Sequence, residues 1–436
     1  MVVEFLPSQI GTEDGVPLPY TGSPLLLLLS DVLLFFRSLW CFPGIIFPLE
    51  PWGSGELDEL YPSRENLTAL AIHGFLCMYQ IAFLVSLPFC YMVPLVWMVL
   101  YVVVVLVVNH AICRKLNGNR RFLQSRVPVV SRPEHESEHW IFVNGVAVGE
   151  HWLQSNIDRL SYTFGRRITG VHNPTAGIIF DTIQCLIERN FCYATDDVRD
   201  AYELIKGALA NPKNKKVVLI LHSQGGIQGG LVIDWLLAEI PQDLLQKLEV
   251  YTFGNAANHF NNPHRYVEGL QNAKATRGAT HSDGKSIRYI EHYANSYDFV
   301  SVWGVLNFIR ISNRYMGRVF VRPGWGHQLN QHYLDTMFPL GPDRKVLEKN
   351  EFMEMEVELP KSGMTGDEGE GLVSSIDDDT SDEEEATVFD ANTPVDVTAP
   401  VRKRLNGSLP RTLKVKHFSR LWLYRNGRSP ATSGQT

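Results

Sequence analysis

Between Leu67 and Cys113 the chain carries no Asp, Glu, Lys or Arg, and that run limits what the rest can be. One membrane-crossing helix needs about 20 apolar residues, so the stretch suffices for two, with Pro88 and Pro94 supplying a break near its middle. The pattern predicts a helical hairpin. A buried core helix is excluded on length, and the second half, Met92 to Val108, is apolar all round with no face for water. Arg114, Lys115, Arg120, Arg121 and Arg126 follow at once, and a basic flank marks the cytosolic side. Asn66-Leu67-Thr68 fits a glycosylation sequon, but on a cytosolic flank it is a chance match.

Residues 1–36 contain no Lys or Arg, so the positively charged start of a secretory signal peptide is missing. The apolar run Pro24 to Phe36 is short, interrupted by Asp31 and ended by Arg37. With Ser38 to Phe47 it reads either as an interfacial or re-entrant segment or as a poorly formed third span. The six cysteines show no metal-ligand spacing and read as buried thiols of a reducing compartment. A formal net charge of −7 argues against nucleic acid as partner.

After a polar linker, Ser131 to Glu138, strands alternate with helices, which predicts an α/β, doubly wound, mostly parallel sheet with ligands at the carboxyl ends of its strands. Expected strands are His139–Val143, Arg167–Val171, Lys216–His222, Leu248–Phe253, Ser286–His292 and Arg318–Val321. The uniformly apolar strand before Ser223 breaks into Ser223-Gln224-Gly225-Gly226 and then a helix. Such a turn pushes the Ser hydroxyl out of the sheet and leaves the Gln224 amide free to donate to an oxyanion. The usual G-x-S-x-G has Leu221 at its first position here. The amide of Gly145 or Val146, in a turn shaped by Asn144, would complete an oxyanion hole, although a simple tight turn explains Asn-Gly equally well.

Downstream, Asp298 follows a late strand and His327 follows the last one, among glycines. The order Ser, Asp, His suits a nucleophile whose proton passes to an imidazole oriented by a carboxylate. His332 is the alternative base, but it falls inside a predicted helix from about Gln328 to Met337. His222 points to the opposite face and reads as a satisfied core residue. The loop rich in Asn, His, Gly and Thr that runs to Lys285 reads as substrate-facing or as a lid.

Three segments then resemble the α/β-hydrolase superfamily, and within it the fungal-type (class 3) lipases and related lipase-like serine hydrolases. LHSQGG (Leu221 to Gly226) looks like the lipase GHSxGG elbow. VYTFGNAAN (Val250 to Asn258) is similar to the family's strand ending in TFG, without the usual Pro-Arg after it. RYIEHYANSYDFVSV (Arg288 to Val302) resembles the segment that carries the catalytic Asp. The likeness covers roughly residues 139–340. It implies Ser223 as nucleophile, Asp298 as acid and His327 as base, with no metal and no organic cofactor.

From Glu351 to Asp396 acids dominate, so the stretch is expected to be disordered, with Ser374, Ser375, Thr380 and Ser381 as sites for an acid-directed kinase. Val401 to Arg428 has nine Lys or Arg and no acid, interleaved with Phe418, Leu421, Trp422, Leu423 and Tyr424. It reads as a lipid-seeking interfacial segment or as a solvated tail paired with the acidic block. The expected organisation is an N-terminal segment (1–65), a transmembrane hairpin (66–113), a basic and polar linker (114–138), a hydrolase domain (139–350) and a disordered tail (351–436). The expected function is cleavage of lipid carboxylic esters by a cytosol-facing domain held at a membrane, such as the endoplasmic reticulum or a lipid droplet. The alternatives are a lipid transacylase and a non-catalytic scaffold recruiting protein partners.

Overall fold

The computed structural model describes residues 2–6, 23–50, 54–130, 132–263, 285–311, 314–358 and 413–430. Its frame is a nine-stranded sheet built from β1 (Val2–Leu6), β2 (Phe122–Gln124), β3 (Glu138–Val143), β4 (Ile168–Val171), β5 (Lys216–His222), β6 (Leu248–Phe253), β7 (Tyr289–Asn295), β8 (Arg318–Arg322) and β9 (Glu356–Glu358). The order is β2-β4-β3-β5-β6-β7-β8-β1-β9. The six strands from β4 to β8 run parallel, as the alternating pattern predicts, while β2 on β4 and β1 on β8 are antiparallel.

Every residue of β5 is buried, because both faces of the sheet are covered. Leu219 and Leu221 face a layer that includes α6 (Asp196–Ala210) and α7 (Gln224–Glu239). Val218 and Ile220 face α4 (Glu150–Phe164) and the C-terminal segment. The register aligns Val143 with Leu221 and His222 with Phe253, so the chain leaves β3, β5 and β6 along one edge. The loops after β7 and β8 leave at the same edge, since Asn295 pairs with Arg322.

Three helical segments, Pro24–Ile45, Arg64–Met92 and Leu95–Asn117, are long and apolar enough to cross a membrane. The hairpin consists of α2 (Arg64–Ser86), a 3-10 turn (Leu87–Met92) and α3 (Leu95–Asn117). Asn66, Ala69, His73, Leu76, Gln80 and Phe83 recur at helical spacing and are buried, so one stripe of α2 docks on the rest of the protein. The first segment begins with α1 (Pro24–Ser38), which lies against α5 (Ile178–Phe191) and the short helix Phe299–Trp303. There Asp31 pairs with Arg189 and accepts from Asn190 Nδ2 at 2.7 Å, while Phe35 packs edge-on against Phe299 at 5.2 Å.

Three expectations are corrected. The strand expected at Ser286–His292 lies at Tyr289–Asn295, and β1 extends the sheet from a segment expected to stay outside the catalytic part. Parts of the tail expected to be disordered, 351–358 and 413–430, are built into the fold, as helix Glu351–Glu354 with β9 and as the segment carrying Val415–Phe418 and Leu421–Gly427. Phe418, Leu421, Trp422 and Tyr424 join the core and do not meet lipid. Arg420 Nη2 donates to Glu249 at 2.8 Å, and the amides of Arg420 and Leu421 donate to Glu291 at 2.8 and 3.2 Å. Local charge balance suggested an interfacial or a solvated segment, whereas Arg420 is held by a buried carboxylate on β6, and Lys414, Lys416, Arg425 and Arg428 pair with Glu354 and Glu348. The expected kinase sites, and most of the loop running to Lys285, lie outside the described residues.

Candidate functional site

Ser223 stands between β5 and α7 with φ 58° and ψ −123°, a left-handed backbone that a non-glycine residue holds only when its surroundings dictate it. Its amide donates to the Phe253 carbonyl at 3.1 Å, and its carbonyl accepts from Gly226 and Ala256 at 3.0 and 3.2 Å. Gly225 is required because a Cβ there would lie 2.5 Å from the Val143 carbonyl oxygen. The Leu at the first position of the motif is accommodated by a second glycine: a Cβ on Gly229 would come within 2.3 Å of Leu221 Cδ1.

Asp298 and His327 meet at the same edge. His327 Nδ1 lies 2.9 Å from Asp298 Oδ2, and that oxygen also accepts from Tyr333 Oη at 2.7 Å and Ser301 Oγ at 2.9 Å. Burial pushes the Asp298 carboxyl up, but His327 beside it and these hydrogen bonds outweigh burial and hold it below the ordinary carboxylate value. Gly254, bonded through its amide to Tyr293, leaves the gap in which the pair sits, since a Cβ there would meet His327 Nδ1 at 2.9 Å.

His222 is buried, as expected of a core residue, but it lies against the candidate base. Its ring stacks on that of His327 with centroids 4.7 Å apart, and its Nε2 lies 2.9 Å from the His327 carbonyl oxygen. Burial, with His327 beside it, pushes the His222 imidazole down to about 3, so it stays neutral and donates Nε2–H. His332, the alternative base, has both ring nitrogens engaged: Nδ1 accepts from the Gln328 amide at 3.0 Å and Nε2 meets the Pro48 carbonyl at 3.0 Å. It sits in a π-helical turn, Leu329–Leu334, where an α-helix was expected.

The amides of Gly145, Val146 and Gln224 have no acceptor among the described residues. Gly145 lies against the serine: a Cβ on it would be 2.4 Å from Ser223 Cβ and 3.0 Å from its Oγ. On one flank Asp181 holds the turn, accepting from the Ala147 amide at 3.1 Å, from Thr175 Oγ1 at 2.6 Å and from the Ala176 amide at 2.7 Å. On the other, the Gln224 side chain is fixed between Asn173 Nδ2 and Glu188 Oε2, both at 2.9 Å.

The hairpin reaches this scaffold. Gln80 Nε2 and Asn109 Nδ2 both donate to the Ala176 carbonyl, at 2.6 and 2.8 Å, and Gln80 Oε1 accepts from the Ile179 amide at 3.2 Å. Asn117 pairs with both backbone groups of Thr175. Gln80 and Asn109, amide side chains within the uncharged run, were the signal for this contact, because buried polar groups in such helices require partners. The 3-10 segment Leu39–Ile45 closes over the other side, with Gly44 against the Tyr297 carbonyl and Phe42 on Phe299 at 5.6 Å.

Among the described residues no cluster of three or more His, Cys, Asp or Glu side chains could hold a metal ion. What the arrangement contains is an oriented His–Asp pair, a serine on a strained turn, and free backbone donors beside it. No protein-family model matches the chain, and no curated protein matches it.

Proposed function

We propose that the chain is a membrane-anchored serine hydrolase of α/β-hydrolase, lipase-like type that cleaves carboxylic esters of lipids. Ser223 Oγ attacks the ester carbonyl while His327 takes its proton through Nε2. The Nδ1–H of the imidazolium stays on Asp298, which fixes the tautomer and stabilises the positive charge. The amides of Gln224 and of Gly145 or Val146 receive the developing oxyanion, and His327 returns the proton to the departing alcohol. Water, activated by the same imidazole, then releases the acid from Ser223. A transacylase would use the same acyl-enzyme and hand it to a lipid hydroxyl.

The observation that carries this reading is the 2.9 Å Nδ1–Oδ2 bond of His327 and Asp298, at the strand edge where Ser223 holds a left-handed backbone. Lipid is preferred over a soluble ester because the site is bounded by the apolar segments Pro24–Ile45 and α2–α3. The basic flank after Cys113 supports a cytosol-facing domain. A fluorophosphonate probe tests the chemistry. The full-length protein should react, Ser223→Ala should not, and His327→Ala should react far more slowly. Folded wild-type protein that takes no label would leave only a membrane-held scaffold.

A further inference from the structure

The anchor has the dimensions and the tip of an element that enters the hydrocarbon from one face without crossing the bilayer. The outermost hydrogen bonds that tie the hairpin to the rest of the protein run from Gln80 and Asn109 to Ala176. Beyond Asn109, α3 continues to Leu95, a length of about 20 Å at 1.5 Å per residue. The hydrocarbon core is ~30 Å thick, and the polar loop around Thr175 and Ala176 belongs at its near boundary. The tip therefore ends inside the hydrocarbon.

Its composition agrees. Between Ser86 and Leu95 the chain reads Leu-Pro-Phe-Cys-Tyr-Met-Val-Pro, without one charge, and Tyr91 and Met92 are 94% and 86% exposed. A loop emerging into water on the far side would carry polar residues. The backbone is also fit for a dry setting. Leu87–Met92 is a 3-10 turn, Val93 N–H donates to Cys90, Trp97 and Met98 donate to Pro94, and the two prolines have no N–H to satisfy.

The rest of the apolar surface continues that of the hairpin. α5 packs between α1 and α2 and turns Ile183, Ile187 and Phe191 outward at one-turn spacing. Beside it α1 exposes Leu25, Leu29, Leu33 and Phe36, while its opposite side is tied down by Asp31 to Arg189. A helix bonded sideways to α5 in this way lies along the protein and does not cross a bilayer alone.

We infer that α1, α5 and the hairpin tip form one monotopic anchor that enters from one face and stops short of the other, so that the protein can occupy a monolayer over neutral lipid as well as a bilayer. This rests on the anchoring part of the proposed function and not on the chemistry at Ser223.

The full chain, diluted from detergent, is offered triolein droplets coated with a phospholipid monolayer and, separately, phospholipid vesicles; both are floated. Comparable binding to the two is expected. The variant Tyr91→Arg/Met92→Arg, whose thermal transition should match the wild type because neither side chain is packed into the protein, is expected to lose at least tenfold in partition to each. Binding to vesicles but not droplets, or full tolerance of the arginines, would overturn the monotopic anchor. Failure to float with either lipid would overturn the anchoring reading itself, whatever the probe reports at Ser223.

Discussion

His222 and His327 are stacked with 27° between their ring planes, and the first donates its Nε2–H to the carbonyl of the second. The residue before the candidate nucleophile thus holds the candidate base from behind. His222→Phe keeps the ring and removes the donor. We expect fluorophosphonate labelling of Ser223 to slow by about tenfold, with the thermal transition little changed, because small misplacements of a catalytic group are expensive in rate. Unchanged labelling would return His222 to a packing role.

Gln80 and Asp181 should act as positioning residues for the turn that carries Gly145 and Val146. Gln80→Leu removes the donor to Ala176 and the acceptor for Ile179, and a drop of about tenfold to a hundredfold in turnover at little-changed KM is expected. Ser86→Ala, which breaks the 2.7 Å contact to Tyr101 near the hairpin tip, is the control and should leave turnover alone. Equal losses in both would mean that only the folding of the hairpin matters.

Leu221 and Gly229 should behave as a coupled pair. Gly229→Ala forces a buried Leu to move and should destabilise by about 1–3 kcal/mol, while Leu221→Ala opens a cavity worth about 2–5 kcal/mol. In the double variant the new methyl fills part of that cavity, so its loss in chemical denaturation should fall short of the sum by about 1 kcal/mol or more. Strict additivity would show that the two do not share the space.

Glu188 gives the fold a pH dependence with a definite sign. Burial pushes its carboxyl up to about 7, against hydrogen bonds from Gln224 and Gln184 that favour the ionised form. The folded protein therefore binds this proton more tightly than the unfolded chain. The stability it contributes is complete below the unfolded value near 4.5 and is lost as pH rises to about 7, a change of about 3 kcal/mol at most. Glu188→Gln should flatten the denaturation midpoint across that window. A variant whose profile parallels the wild type would exclude Glu188 as the source.

The C-terminal segment should remain bound without its covalent link. Arg420, Tyr424 and the amides of Arg420 and Leu421 satisfy Glu249 and Glu291, so a protease site engineered between 359 and 412 should yield two fragments that co-elute. Arg420→Met leaves Glu249 buried without its cation and should cost about 3–5 kcal/mol in denaturation experiments. Fragments that separate on size exclusion would contradict this account.

Much of this protein is legible residue by residue. The uncharged run fixes a hairpin because no local arrangement can hydrate it, and the apolar strand that ends at Ser223 fixes a buried parallel sheet, since period and composition act over neighbours in the chain. Ser223, Asp298 and His327 could be picked out for the same reason: each follows a strand, and parallel strands deliver their ends to one edge. What only the tertiary structure decided concerns partners far apart in sequence. The basic tail segment is core because Glu249 and Glu291 wait for it, His222 matters because His327 folds back over it, and Gln80 matters because Ala176 comes within 2.6 Å. Buried polar groups are satisfied through space, and nothing in the local pattern of a segment names the residue that will satisfy them.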